Sequence, residues 1–234
     1  MLRGRRDSYH RKGLSIGLAI GLALAPVQVV VGDLAARLVA ERQPVKLAAM
    51  EGLWETTAHA PLTIGGIPLD GSEETVFAVR IPRLLSWLAY GDTDAVVEGL
   101  LEVAPADRPN TLLVHLAFQL MLAVGFGLLG LGVWALITLR RRRRGAEEGR
   151  WFLRAAVLAG PATFLAIEAG WIVTEVGRQP WIVYRVMRTA DAVTSHGSVG
   201  WWLAGTVAVY VFLGVACALL LIRIARASRE GISA

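Results

Sequence analysis

EAGWIVTEVGRQPWIVYRVMRTAD, residues Glu168 to Asp191, closes a strongly apolar run that begins near Trp151. A run of that length and composition reads as a membrane span. It carries two carboxylates toward lipid, where ionisable groups are costly and usually functional. Glu168 and Glu175 are seven residues apart, so they fall on nearly one helical face, with Trp171 on the stripe between them. Gly177 and Pro180 then end the helix, and Arg178 sits in the break, within reach of an anionic group at the membrane boundary. Either the carboxylates pair with Arg178 or with partner helices as structural glue, or they ligate or protonate something in the bilayer. The cost of holding charge in lipid favours the second.

The rest of the chain fits that start. Its 234 residues are 55% hydrophobic, with long apolar runs and positive mean hydropathy, which excludes an ordinary soluble domain. The net charge of +5 is carried by arginines beside the apolar runs, as in cytoplasmic flanks of membrane proteins. Arg140 to Arg144 have no interleaved aromatics, so nucleic acid is not the expected partner. Cys217, the single cysteine, lies in an apolar run and reads as packing. The basic start leads into an apolar run with no small-residue cleavage site, so the first span is expected to remain in place.

The predicted fold is an all-α membrane protein of four transmembrane helices, at about 13–32, 111–139, 151–176 and 199–222. Arginine-rich flanks put both termini on the cytoplasmic side, and Trp201 and Trp202 anchor the fourth span at the interface. Past Asp33 the chain becomes amphipathic, too charged for lipid. An extracytoplasmic loop of about 33–110 follows, long enough to suggest a lid or binding role. Lys46 and Glu51 lie there within QPVKLAAME, Gln43–Glu51; taken singly, each reads as an ordinary surface charge. His59 reads as a surface histidine and His196 as a weak ligand candidate. His115, six residues before Met121, points away from it and is not assigned as a ligand.

GWIVTEVGRQPW, Gly170–Trp181, resembles the signature of the large subunit of cytochrome bd-type quinol oxidases. QPVKLAAME is similar to the start of that family's quinol-binding loop, and IPRLLSWLAYGD, Ile81–Asp92, resembles a later part of it. FQLMLAVG, Phe118–Gly125, and VMRTADAV, Val186–Val193, resemble further family segments. The resemblance implies that Lys46 holds a quinone oxygen while Glu51 accepts a proton from quinol. It implies that Met121 is an axial ligand of a low-spin haem b, a role suited to a soft thioether donor. Glu175 would ligate the high-spin haem pair, with Trp171 packing nearby, Arg178 close to a propionate, and Glu168 and Gln119 in the same cofactor surroundings. Gln119 departs from the family, whose better-known members have arginine there. Haem b is expected, with either haem d or a further haem b at the oxygen site. Arg188 and Asp191 would lie in a loop on the quinol side.

The resemblance covers only the C-terminal half of the family's large subunit, without its histidine ligands and proton-channel acids. It therefore implies a split subunit of a quinol:oxygen oxidoreductase in a bacterial cytoplasmic (inner) membrane. Its partners would be a chain carrying the N-terminal half, a second oxidase subunit, membrane quinol and the bilayer. The alternatives are a gene fragment, or a haem-free or quinone-binding scaffold that has lost oxygen chemistry.

Overall fold

A computed structural model of the protein describes residues 8–142, 149–194 and 196–230. The basic flank at 1–7 and the charged connection at 143–148 lie outside the described residues. Residues up to Ala190 form one compact unit and those from Asp191 a second. Four helices are long and apolar enough to cross a membrane, with candidate spans at Arg11–Arg42, Thr111–Arg141, Arg150–Val176 and Val199–Ala227.

In the first unit, α1 runs unbroken from Ser8 to Arg42 with Pro26 inside it. The expected span of about 13–32 is therefore only the middle of a longer helix. Its amphipathic end, where Asp33 pairs with Arg37 one turn later, continues the same rod. Gln43 leaves helical geometry before Pro44, because the proline ring disfavours the α region in the preceding residue. Pro44 then opens α2, Pro44–Glu51, at the first helical position, where its missing N–H costs nothing. Gly52 closes α2 at φ +62 and returns its N–H to the carbonyls of Ala48 and Ala49.

The segment after α2 is not a long irregular loop, and the fold is correspondingly not purely α. Strands β1 (Thr57–Ala58) and β4 (Val96–Val97) pair antiparallel. Between them, β2 (Leu62–Leu69) and β3 (Glu74–Ile81) form a hairpin in register from Leu62↔Ile81 to Leu69↔Glu74, followed by α3 (Leu84–Tyr90). The Gly65–Gly66 pair inside β2 interrupts the alternation that would otherwise mark a strand.

Helices α4 (Thr111–Arg142) and α5 (Arg150–Val176) pack antiparallel. Met121 meets Gly170 near one end, and Trp134 stacks edge-on to Phe152 at the other, with ring centroids 5.7 Å apart. The N-terminal part of α1 joins that second end through Leu14 and Leu18. At the first end, Val45, Ala48, Ala49 and Met50 of α2 share a core with Val114, Ala117 and Phe118 of α4 and with Ala169 and Val173 of α5. The opposite side of α2 packs Leu47 with Ala40, Leu85, Ala89 and Val97. Every residue of α2 from Val45 to Glu51 is buried as a result. After α5, β5 (Trp181–Val183) and β6 (Met187–Arg188) form a small hairpin.

The second unit consists mainly of α6, Val199–Glu230. The carbonyl of Ser198 receives the N–H groups of Trp201 and Trp202 at its start, and His196 Nδ1 lies 2.9 Å from Ser198 Oγ.

Candidate functional site

Two charged side chains on α2 are buried, contrary to the surface placement that each suggests when taken alone. Lys46 and Glu51 are five residues apart, which puts them about 140° apart around the helix, so they address different walls. Lys46 Nζ donates to the Thr174 carbonyl in the last turn of α5 at 3.3 Å. A cation there also meets the negative end of the α5 dipole. Gly177 makes this approach possible: a Cβ on it would lie 3.2 Å from the Lys46 methylenes and 2.4 Å from the Val173 carbonyl oxygen. Burial, and then the Arg178 guanidinium, push the Lys46 ammonium below the ordinary lysine range, while Glu175 pulls it back up.

Glu51 is 2% exposed. Its Oε2 accepts the Thr63 N–H at 3.1 Å. Burial raises its carboxyl from 4.5 to about 7, against the opposing pull of that N–H. A carboxyl poised there exchanges a proton readily near neutral pH.

Gln119 and His115 lie one turn apart on α4 and both reach β2. Gln119 Nε2 donates to the Thr63 carbonyl at 2.9 Å, and its Oε1 accepts the Gly65 N–H at 3.1 Å. The amide thus spends one N–H and its carbonyl oxygen on the hairpin backbone. His115, fully buried, has Nδ1 2.9 Å from the Met50 carbonyl and Nε2 3.0 Å from the Gly65 carbonyl. Spacing along α4 directs His115 away from Met121, but its actual partners come from residues 50 and 65. Only the tertiary fold reveals them.

At the end of α5, the stripe expected to hold Glu168, Trp171 and Glu175 turns outward. Glu168 is exposed, Trp171 is 63% exposed, and Glu175 is half-buried. Glu175 accepts a hydrogen bond from Arg178 Nη2. Among the described residues, the buried Arg178 Nε has no hydrogen-bond partner, which leaves a donor available to a further anionic oxygen. Arg178, Lys46, Gln43, Asp107, Trp181 and Tyr184 all line one narrow cleft. The turn is braced by Thr189 Oγ1, which donates to Gln179 Oε1 at 2.7 Å. Arg188 further braces it by pairing with Asp107 and lying 5.0 Å above the Trp181 ring. Met121 is half-buried against the α2–α4–α5 core, and its sulfur would meet a Cβ on Gly170 at 3.1 Å. His59 is exposed and lies beside Asp94 and the Thr93 carbonyl. The structure thus gathers Lys46, Glu175 and Arg178 at one place and Glu51, His115 and Gln119 at another, with Met121 two residues beyond Gln119 on α4. Thr63, Thr174 and Asp107 carry no motif signal and enter only through their backbone or cleft position.

Residues 1–229 match the family described as cytochrome bd terminal oxidase subunit I. The chain is 36% identical over 226 residues to a putative cytochrome bd menaquinol oxidase subunit I of Bacillus subtilis, covering 95% of this chain and 51% of the relative. It is 27% identical to the cytochrome bd-II ubiquinol oxidase subunit 1 of Escherichia coli, over 97% of this chain and 57% of that protein. Among solved structures it is similar to a chain of the bd oxidase from Geobacillus thermodenitrificans, with a TM-score of 0.81 and 38% identity over 95% of this chain and 51% of that one. It spans about half the length of the relatives it matches. On a match that runs through nearly all of its residues, this multi-pass membrane chain belongs to the cytochrome bd terminal oxidase subunit I family.

Proposed function

We propose that the chain is part of a membrane quinol:oxygen oxidoreductase that oxidises quinol at α2 and reduces oxygen to water. The observation that carries this reading is the burial of a cation and a carboxylate on one eight-residue helix, with the carboxyl held near 7. In this reading Lys46 donates a hydrogen bond to a quinol oxygen from the wall that also holds Arg178. Glu51 accepts the proton that quinol releases as it is oxidised. The segment from Gln43 to Asn110 lies on the extracytoplasmic side and both termini lie in the cytoplasm of a bacterial cell, in keeping with the arginine flanks.

Haem suits the donors present. Among the described residues no three His, Cys, Asp or Glu side chains converge on a free ion. A prosthetic group that brings its own ring nitrogens needs only single axial donors. Met121 would hold one haem and Glu175 another, with Trp171 and Glu168 on the same outward stripe and the unpartnered Arg178 Nε suited to a propionate oxygen. Bound haem, whether b or d, supplies the one-electron and oxygen chemistry. The chain's own part is to orient the donors, to hold the proton at Glu51, and to keep Arg178 beside Glu175. The exposed stripe on α5 is completed by helices beyond this sequence, carried on a partner chain beside a second oxidase subunit.

A reduced-minus-oxidised optical spectrum of the detergent-solubilised complex, with its co-purifying chains identified, tests the reading. Haem bands together with quinol oxidation that is lost in Lys46→Ala support it. A complex without haem would turn the reading toward a scaffold.

A further inference from the structure

We propose that His115 and Gln119 are positioning residues for the Glu51 carboxyl, holding the β2 edge that presents the Thr63 N–H to it. The contacts close a ring, in which a neutral His115 donates to one of its two facing carbonyls and packs against the other. Thr63 donates its N–H to Glu51 and accepts from Gln119 through its carbonyl. Gln119 accepts from Gly65, whose carbonyl faces His115; the other ring nitrogen of His115 faces the carbonyl of Met50, the residue bonded to Glu51. Two side chains four residues apart on one face of α4 thus fix the strand and the helix end together. Thr75 braces the same turn from β3: its Oγ1 donates to the Gly52 carbonyl at 2.7 Å and accepts the Trp54 indole N–H at 3.2 Å.

The catalytic consequence rests on Glu51 being the proton acceptor for quinol. Among the described residues, the hydrogen bond to its carboxyl comes from Thr63 N–H. That donor stabilises the carboxylate, the form that must exist before a proton can be accepted. Burial is the main cause of the carboxyl's upward shift, and that N–H opposes it. Lys46, on the same helix, directs its ammonium to Thr174, α4 brings His115, and the facing parts of β2 and β3 bring Thr63 and Thr75. If the clamp loosens, Thr63 N–H withdraws and nothing replaces it. Glu51 then keeps its proton to higher pH, and the acid limb of quinol oxidation moves upward.

The test uses the assembled complex carrying Gln119→Leu, with haem absorbance reporting assembly. Protonation of Glu51 is followed against pH by its infrared carboxyl band, assigned through its loss in Glu51→Gln, and quinol turnover is measured over the same range. The expected result is a rise of about one pH unit in the carboxyl midpoint, with the acid limb of kcat following it. His115→Gln, which retains an amide donor, should move both in the same direction by less, and it decides the matter should Gln119→Leu fail to assemble. An unmoved infrared midpoint overturns the proposal. A midpoint that moves while the pH profile of turnover stays fixed upholds the positioning role and overturns the reading of Glu51 as the quinol's proton acceptor.

Discussion

The two carboxylates assigned to chemistry sit in opposite kinds of surroundings. Glu51 is enclosed, and its donor, its brace and the core behind it all come from this chain. Glu175 lies on a half-open turn below an outward stripe, with Arg178 as its partner. A site built from several segments of one chain can be tuned by that chain alone. A site on an unpartnered helix face depends on what is laid against it.

Substitutions can sharpen this contrast. The largest effect is expected at Met121, half-buried against the α2–α4–α5 core: Met121→Ala should abolish the low-spin haem absorbance of the assembled complex, and an unchanged spectrum would sink the ligand assignment. On the enclosed side, Glu51→Gln should slow quinol oxidation by roughly 100-fold or more while haem absorbance is retained. Loss of haem there would mean that α2 is structural and that the two sites are not separate. Glu51→Gln should also change how stability depends on pH. A carboxyl near 7 in the fold and ordinary when unfolded holds a proton that the unfolded chain has released, so stability falls as pH rises between 4.5 and about 7. The glutamine variant lacks that slope, and above that window it should exceed the parent by on the order of 3 kcal/mol in thermal denaturation. Gly177→Ala, which forces a Cβ against the Val173 carbonyl and Lys46, should cost about 1–3 kcal/mol in the same assay. Arg37→Ala breaks only an exposed pair with Asp33 and should shift the melt by less than about 0.5 kcal/mol.

How much of this was legible from the residues differs between the two sites for a physical reason. The α5 end is a local object. Gly177, Arg178 and Pro180 break the helix where they stand, and the seven-residue spacing of Glu168 and Glu175 sets their shared face without help from elsewhere. The burial of Lys46 and Glu51 is not local. QPVKLAAMEG has the charge of a solvated helix, and it is covered because α1, α4, α5 and the 57–97 segment all pack on it. The β2–β3 hairpin is not legible along the chain because Gly65 and Gly66 break its alternation, so the connection reads as a loop. Gln119 reads as a substituted arginine near a cofactor, yet its amide is spent on Thr63 and Gly65. Nothing in the spacing along α4 indicates that the hairpin lies there to be held.

The ring around Glu51 also constrains the order in which the protein can be made. Its closing bonds join residues separated by 50 to 65 positions, and in each the later partner is on α4. During synthesis, the segment from Gln43 to Asn110 therefore emerges before the groups that will pin it exist. Closing loops of this length is entropically costly until the packing that rewards it is available. Formation of the surroundings of Glu51 is thus tied to the insertion of α4. A chain arrested short of that helix would expose the hairpin edge and the Glu51 carboxyl without the contacts that make them a site.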